Sequence, residues 1–246
     1  MSVLIELKNV GVEFGGQTIL QEINLRLQPG KITAIIGSSG SGLSVLLKTA
    51  AGLTSVCCGE VLYDNRPLDS FTETEKRQLQ TRTGFMFQDA ALWANMNIFA
   101  NLDLPLQTKF PDLNAEQRKQ RIEAALQQYG FSVDTKKRPV EISQGQKKFV
   151  SFLRAVIPEP EALFLDEPVA WMDKPWAEKI SNELVALRAR GTILVLASTQ
   201  KEPAIDLADH LVVLHHGKIL AQGEFKDIAL SPDPKVQSLL DGETVD

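Results

Sequence analysis

The sequence predicts an α/β fold: a mostly parallel sheet, a small antiparallel β-subdomain at its N-terminal end, and an inserted helical subdomain. Three observations carry this. Apolar runs of strand length alternate with amphipathic helical stretches, the pattern that builds parallel sheets. A glycine-rich turn from Gly37 to Gly42 joins one such strand to a helix, and a later apolar strand ends in two acids, Asp166 and Glu167. Ligands of parallel sheets sit at those carboxyl ends.

The elements follow in order. Alternation in Val3-Leu-Ile-Glu-Leu-Lys-Asn-Val and in Leu20-Gln-Glu-Ile-Asn-Leu-Arg-Leu predicts two half-buried antiparallel strands, the second closed by Pro29-Gly30. Lys31-Ile-Thr-Ala-Ile-Ile is a buried strand meeting the glycine turn, and Val45-Leu-Leu-Lys-Thr-Ala-Ala is a helix ended by Gly52. A strand and turn follow from Glu60 to Leu68, and Thr83-Gly-Phe-Met-Phe is a short strand ending at Gln88. The stretch 89–139 reads as mostly helical, broken at Pro105 and Pro111, with Leu113 to Tyr129 its clearest amphipathic helix. Helix is expected again over 146–157 and 177–190, flanking the buried strand Ala162-Leu-Phe-Leu-Asp-Glu. A strand at 192–197 and a hairpin across 211–223 close the pattern.

A chain of 246 residues accommodates one α/β domain with a helical insertion. Residues 1–88 and 159–246 are therefore read as the core with its antiparallel β-subdomain, and 89–158 as the helical subdomain. The net charge of -5 provides no cationic excess for a phosphate backbone, which argues against nucleic acid as a partner. No apolar run approaches the roughly 20 residues that cross a bilayer, and the N-terminus reads as a strand rather than a secretory signal. The adjacent Cys57 and Cys58 fit neither a metal-ligand spacing nor a disulfide framework and are read as a reduced pair in a cytoplasmic protein, a vicinal disulfide being the alternative.

The chemistry concentrates in Gly37-Ser38-Ser39-Gly40-Ser41-Gly42-Leu43-Ser44. This is the P-loop pattern with leucine where lysine belongs. Its glycines let backbone N–H groups turn toward an anion at a helix N-terminus. Lysine would supply a mobile cation for the β- and γ-phosphates. Losing one side of a desolvated charged contact costs roughly 2–5 kcal/mol, enough to turn micromolar binding into millimolar. Lys48, one turn later, is not assumed to substitute. Asp166 and Glu167, ending the apolar strand before Pro168, have the placement of a Walker B site: the first acid holds Mg2+ and the second polarises an attacking water.

Phe14, the P-loop, Gln88, Ile142-Ser143-Gln144-Gly145-Gln146, Leu165-Asp166-Glu167-Pro168 and Met172-Asp173 stand in the order and spacing of ABC ATPases, and the chain resembles that family over nearly its whole length. The resemblance implies that Ser143, Gly145 and Gln146 form a signature closing over the γ-phosphate held by a partner subunit. Gln144 departs from the family's first glycine. It implies that Phe14 stacks on adenine, simple core packing being the alternative, that Gln88 reaches Mg2+ together with Ser44 and Asp166, and that Asp173 lies in a loop crossing the dimer. Glu167 is the implied base. The family's switch histidine is missing: Thr199 stands at its position, with Ser198 one residue away, while His210, His215 and His216 lie past it and read as surface residues.

The segment from Gln88 to Leu106 is also similar to the ATPases of MCE-type lipid transporters. The resemblance implies ATP and Mg2+ as cofactors, here held weakly or not at all. It implies two partners, a membrane permease and a second ABC ATPase subunit, and a place on the cytoplasmic face of the membrane. The leading expectation is an accessory subunit that completes an intact partner's ATP site. A slow, self-sufficient homodimer and a scaffold that binds no nucleotide are the alternatives.

Overall fold

The computed structural model describes residues 4–200 and 205–242. Val3, the first residue of the expected opening strand, lies outside them. β1 (Ile5–Phe14) and β2 (Gln17–Leu27) pair antiparallel. Gly15 and Gly16 turn between them with φ of 57° and 78°, a conformation glycine adopts without steric cost. β3 (Ile32–Gly37) is buried at every residue and leads through the glycine loop into α1 (Leu43–Ala50). β4 (Cys58–Tyr63) and β5 (Arg66–Pro67) complete a sheet ordered β2-β1-β4-β5.

α2 (Glu73–Arg82) was not among the sequence expectations. Its signal was local: Thr72 accepts from the Glu75 N–H while the Glu75 carboxylate accepts from the Thr72 N–H, a reciprocal cap. The helix has almost no apolar stripe, only Leu79 being buried, so periodicity could not find it. β6 (Thr83–Met86) follows.

The helical subdomain contains α3 (Ile98–Lys109), α4 (Ala115–Gln128) and α5 (Gln144–Val156). The expected break at Pro105 is absent, since α3 runs straight through it. Proline removes one hydrogen bond to the preceding turn, but Ile98, Leu102 and Leu106 are all fully buried and hold the helix in place. Packing of that face outweighs the missing bond.

β7 (Ala162–Asp166), α6 (Lys174–Ala189), β8 (Ile193–Ser198), β9 (His210–His215), β10 (Lys218–Glu224), α7 (Phe225–Ala229) and α8 (Pro234–Leu240) finish the chain. The second sheet has the order β10-β9-β3-β8-β7-β6, parallel throughout except for β10. Side-chain alternation divides the core into two layers. Phe164, Val195, Ile35 and Val212 face α1 and the small sheet; Leu163, Leu165, Leu196 and Ile36 face α3, α5 and α6. β3, β7 and β8 therefore deliver the glycine loop, the two acids and Ser198 to one edge.

Candidate functional site

The loop after β3 is shaped by its glycines. A side chain on Gly37 would strike the Leu214 carbonyl and Ser41 Oγ. Gly40 has φ 81° with open space around it, and Gly42, with φ 102°, caps α1. The Ser41 N–H donates to the Ser38 carbonyl at 3.0 Å, and the Gly217 N–H donates to the Ser41 carbonyl at 2.9 Å. Ser41 Oγ is buried with no partner. Loop and α1 thus form a backbone cradle of the kind that holds phosphate.

Leu43 opens α1 and is 7% exposed, packed into the apolar layer that contains Leu20, Leu46 and Leu47. The position that would carry a cation over the cradle holds an apolar side chain that packs in this layer and borders the cleft. Lys48 lies one turn on, with its ammonium 5.9 Å from the Phe87 ring and near enough to Asp166 to favour that group's charged form.

Asp166 ends β7 and is buried. Loss of solvent pushes its carboxyl above the usual range; a hydrogen bond from Ser44 opposes this, and the neighbouring Glu167 charge adds to it. Glu167 follows with φ 51°, a left-handed backbone that is uncommon for a residue with a side chain. Its N–H donates to the Ala197 carbonyl at 2.8 Å. Its carboxylate accepts three hydrogen bonds: from Ser198 Oγ at 3.0 Å, from the Thr199 N–H at 2.7 Å and from Thr199 Oγ1 at 2.8 Å. Lys148 of α5, itself buried, donates to the carbonyls of Glu167 at 2.8 Å and Asp166 at 3.3 Å.

These groups surround a cleft of about 250 Å³ lined by Ser38, Ser39, Gly40, Gly42, Leu43 and Ser44 of the loop, by Ile19 and Val45, and by Gln88, Asp166, Glu167 and Thr199. Ser44, Gln88 and Asp166 form the oxygen set suited to a hard divalent cation. Among the described residues that line the cleft there is no lysine or arginine. The backbone and the oxygen donors fit a magnesium nucleotide, with Leu43 at the position where the P-loop pattern has lysine.

Other expected site residues lie apart from this cleft. Phe14, at the end of β1, is 53% exposed, so core packing is not its role. Ser143 caps α5: its Oγ accepts from the Gln146 N–H and its own N–H donates to Gln146 Oε1. Gln144 and Gly145 form the first turn of that helix. Asp173 precedes α6 without making a side-chain cap. His216, exposed and with φ 44°, and Gly217 turn the β9–β10 hairpin, which the Gly217–Ser41 bond ties to the loop.

Two residues, Lys148 and Arg154, escaped the sequence reading. Lys148 braces the acidic turn, and Ser198 joins Thr199 on Glu167. Arg154, in the last turn of α5, donates to the Ala90 and Ala91 carbonyls at 3.0 and 2.8 Å, fixing the left-handed turn just after Gln88. Lysine and arginine on the inner side of an otherwise apolar helical stripe were the available signal.

A P-loop between β3 and α1, two acids closing β7 and a serine-capped helix in an inserted subdomain define a nucleotide-binding P-loop protein of the cassette type. The sequence pattern described as "ABC transporter" matches residues 20–170, and the chain belongs to that family. It is 30% identical over 241 residues to the intermembrane phospholipid transport system ATP-binding protein MlaF of Escherichia coli (strain K12), covering 97% of this chain and 89% of that protein. It is equally 30% identical over 231 residues to the spermidine/putrescine import ATP-binding protein PotA of Haemophilus ducreyi, of which it spans only 60%. The dimeric structure of the ATP-binding cassette MJ0796, in a post-hydrolysis state bound to ADP and Pi, superposes with a TM-score of 0.83 at 25% identity over 91% of this chain and 99% of that one.

Proposed function

We propose that this chain is the accessory ATP-binding cassette of an ABC transporter, pairing with an intact ATPase subunit and completing that subunit's ATP site with Ser143, Gly145 and Gln146. One observation carries the reading. The residue at the P-loop lysine position, Leu43, is buried in the core while the signature turn of α5 is capped and exposed. The chain's own cleft is weakened and its donating surface is intact. Thr199 in place of a switch histidine points the same way.

A groove of about 930 Å³ between α2, β6, α3 and α5 supports a permease partner. Phe85, Phe87, Trp93, Leu104 and Pro105 form an apolar floor, and Arg77, Lys109 and Arg154 a rim without acids. An amphipathic helix carrying acidic residues fits it. No helix of the described residues is long and apolar enough to cross a membrane, so attachment through a permease on the cytoplasmic side is the proposed location. Lipid of the MCE type is the proposed cargo class, supported by the segment from Gln88 to Leu106 and by the phospholipid system named for one relative.

The test is ATPase activity of the assembled complex after Ser143→Arg in this chain. A loss of activity is expected, and unchanged activity overturns the reading. Retention of Ser44, Gln88, Asp166 and Glu167 around the cleft favours a second reading, a slow homodimeric ATPase. Turnover by the purified chain that disappears in Glu167→Gln would establish it.

A further inference from the structure

We propose that Cys57 and Cys58 form a mononuclear binding site for a soft monovalent cation, Cu(I), built by a bulge in the small antiparallel sheet. The site belongs to the β1–β4 pair and is independent of the nucleotide reading above.

Adjacent residues of an extended chain ordinarily point to opposite faces. These two do not. The sulfurs of Cys57 and Cys58 lie 3.9 Å apart, and both converge on one point: a Cβ placed on Gly11 would stand 2.5 Å from Cys58 Sγ and 3.4 Å from Cys57 Sγ. Gly11 is buried, while both cysteines are exposed and free. The missing side chain at Gly11 leaves room for the pair, and solution reaches the sulfurs from the other side.

The backbone holds this arrangement. Cys58 pairs with Gly11 and Glu60 with Lys8, so β1 carries one residue more than β4 across the step. This is a bulge, with Asn9 at φ 50° and Gly59 at φ 75°, and a bulge re-aims side chains that a regular ladder would alternate. The Cys57 N–H donates to the Gly11 carbonyl at 2.9 Å. A side chain on Gly59 would strike the Asn9 carbonyl, so glycine is required there. Val56 on one side of the pair packs against the core, and Val61 on the other is buried within it.

The chemistry selects the ligand. Thiolate ligands favour Cu(I), zinc and iron–sulfur clusters over harder ions. Structural zinc and iron–sulfur clusters take four protein ligands. Among the described residues no group of three or more His, Cys, Asp and Glu converges to hold a metal, which leaves the ion that two sulfurs satisfy. At a metal–sulfur length of about 2.3 Å, sulfurs 3.9 Å apart subtend an angle of about 115° at a shared ion. One ion therefore reaches both sulfurs as they stand, with a further position open to a solution ligand. Binding converts two thiols and Cu(I) into a bis-thiolate complex, releases two protons and changes no oxidation state.

The experiment titrates the full chain anaerobically with Cu(I) against a chromogenic Cu(I) chelator, both thiols first being counted as free. One ion per chain is expected. Cys57→Ser and Cys58→Ser should each weaken binding at least about a hundredfold, since losing even an outer-shell partner of a metal ligand costs about 10–100-fold. Both positions are exposed, so these variants are expected to melt with wild type. Gly11→Ala keeps both thiols but displaces their sulfurs, and should weaken binding about tenfold, its thermal melt without metal reporting that it folds. Wild type that binds no more tightly than either serine variant overturns the site, as does one ion shared between two chains. A folded Gly11→Ala that binds as tightly as wild type overturns the role of the bulge and, with it, the proposal of a built site.

Discussion

Leu43→Lys tests the proposal that the cleft binds nucleotide weakly, with two opposing effects on one residue. Leu43 is 7% exposed among Leu20, Leu46 and Leu47. Full burial of a leucine is worth about 1.5–3 kcal/mol. A lysine stem would recover part of this by lying along the same apolar surface and lifting its ammonium into the cleft. A net loss of about 1 kcal/mol follows, lowering the melting temperature without nucleotide by about 2–4 °C. Against this, a desolvated contact between the ammonium and the outer phosphates contributes about 2–5 kcal/mol to nucleotide binding, at least a thirtyfold gain in affinity. Nucleotide at a hundred times its dissociation constant adds about 2.7 kcal/mol of stability. The sign of the change therefore reverses: the variant melts below wild type alone and above it with saturating ATP and Mg2+. Calorimetry and thermal melts with and without nucleotide read both halves. A folded variant that binds ATP no more tightly than wild type would refute the reasoning and move the defect to Thr199 or to the loop itself.

Other consequences are equally direct. The Asp166 carboxyl is raised by burial, so keeping it ionised opposes folding above its folded pKa, and this penalty fades as pH falls through that value; Asp166→Asn should raise the melting temperature near neutral pH and abolish any stabilisation by Mg2+ in a thermal melt. Lys148→Met leaves the Asp166 and Glu167 carbonyls without their buried donor and should destabilise the fold by about 1–3 kcal/mol, measured by urea unfolding. Pro105→Ala restores a helical hydrogen bond to Asn101 and should stabilise α3 by about 1 kcal/mol or more in the same assay. The Glu75 carboxyl is lowered to about 2 by its Arg66 partner and the Thr72 cap; its contribution is present above the unfolded pKa and lost as pH falls toward 2, and Arg66→Gln should return its NMR titration midpoint toward the ordinary carboxylate range.

The alternation of β3, β7 and β8 with helices was legible because each strand is apolar throughout and bounded by glycine, proline or acids. P-loop and acids could be placed on one sheet edge from the sequence alone, since both end parallel strands. What stayed hidden depended on tertiary contact. α2 has too little apolar surface to show a period, and Pro105 signalled a break that packing of Ile98, Leu102 and Leu106 suppresses. The three donors on Glu167 were invisible for a similar reason: Ser198 and Thr199 stood out only as the absence of a histidine. Their role appears when β7 and β8 pair side by side and Asp166 falls opposite Ala197.

Arg154 and Ser143 stand near opposite ends of the 13-residue α5, about 16 Å apart at 1.5 Å per residue. One end grips the turn following Gln88 and the other presents the capped surface. A helix gripped at one end and capped at the other behaves as a stiff lever. On the proposed docking of a permease in the groove, a tilt of α5 would displace the Gln88 turn and the far tip of the helix in one movement.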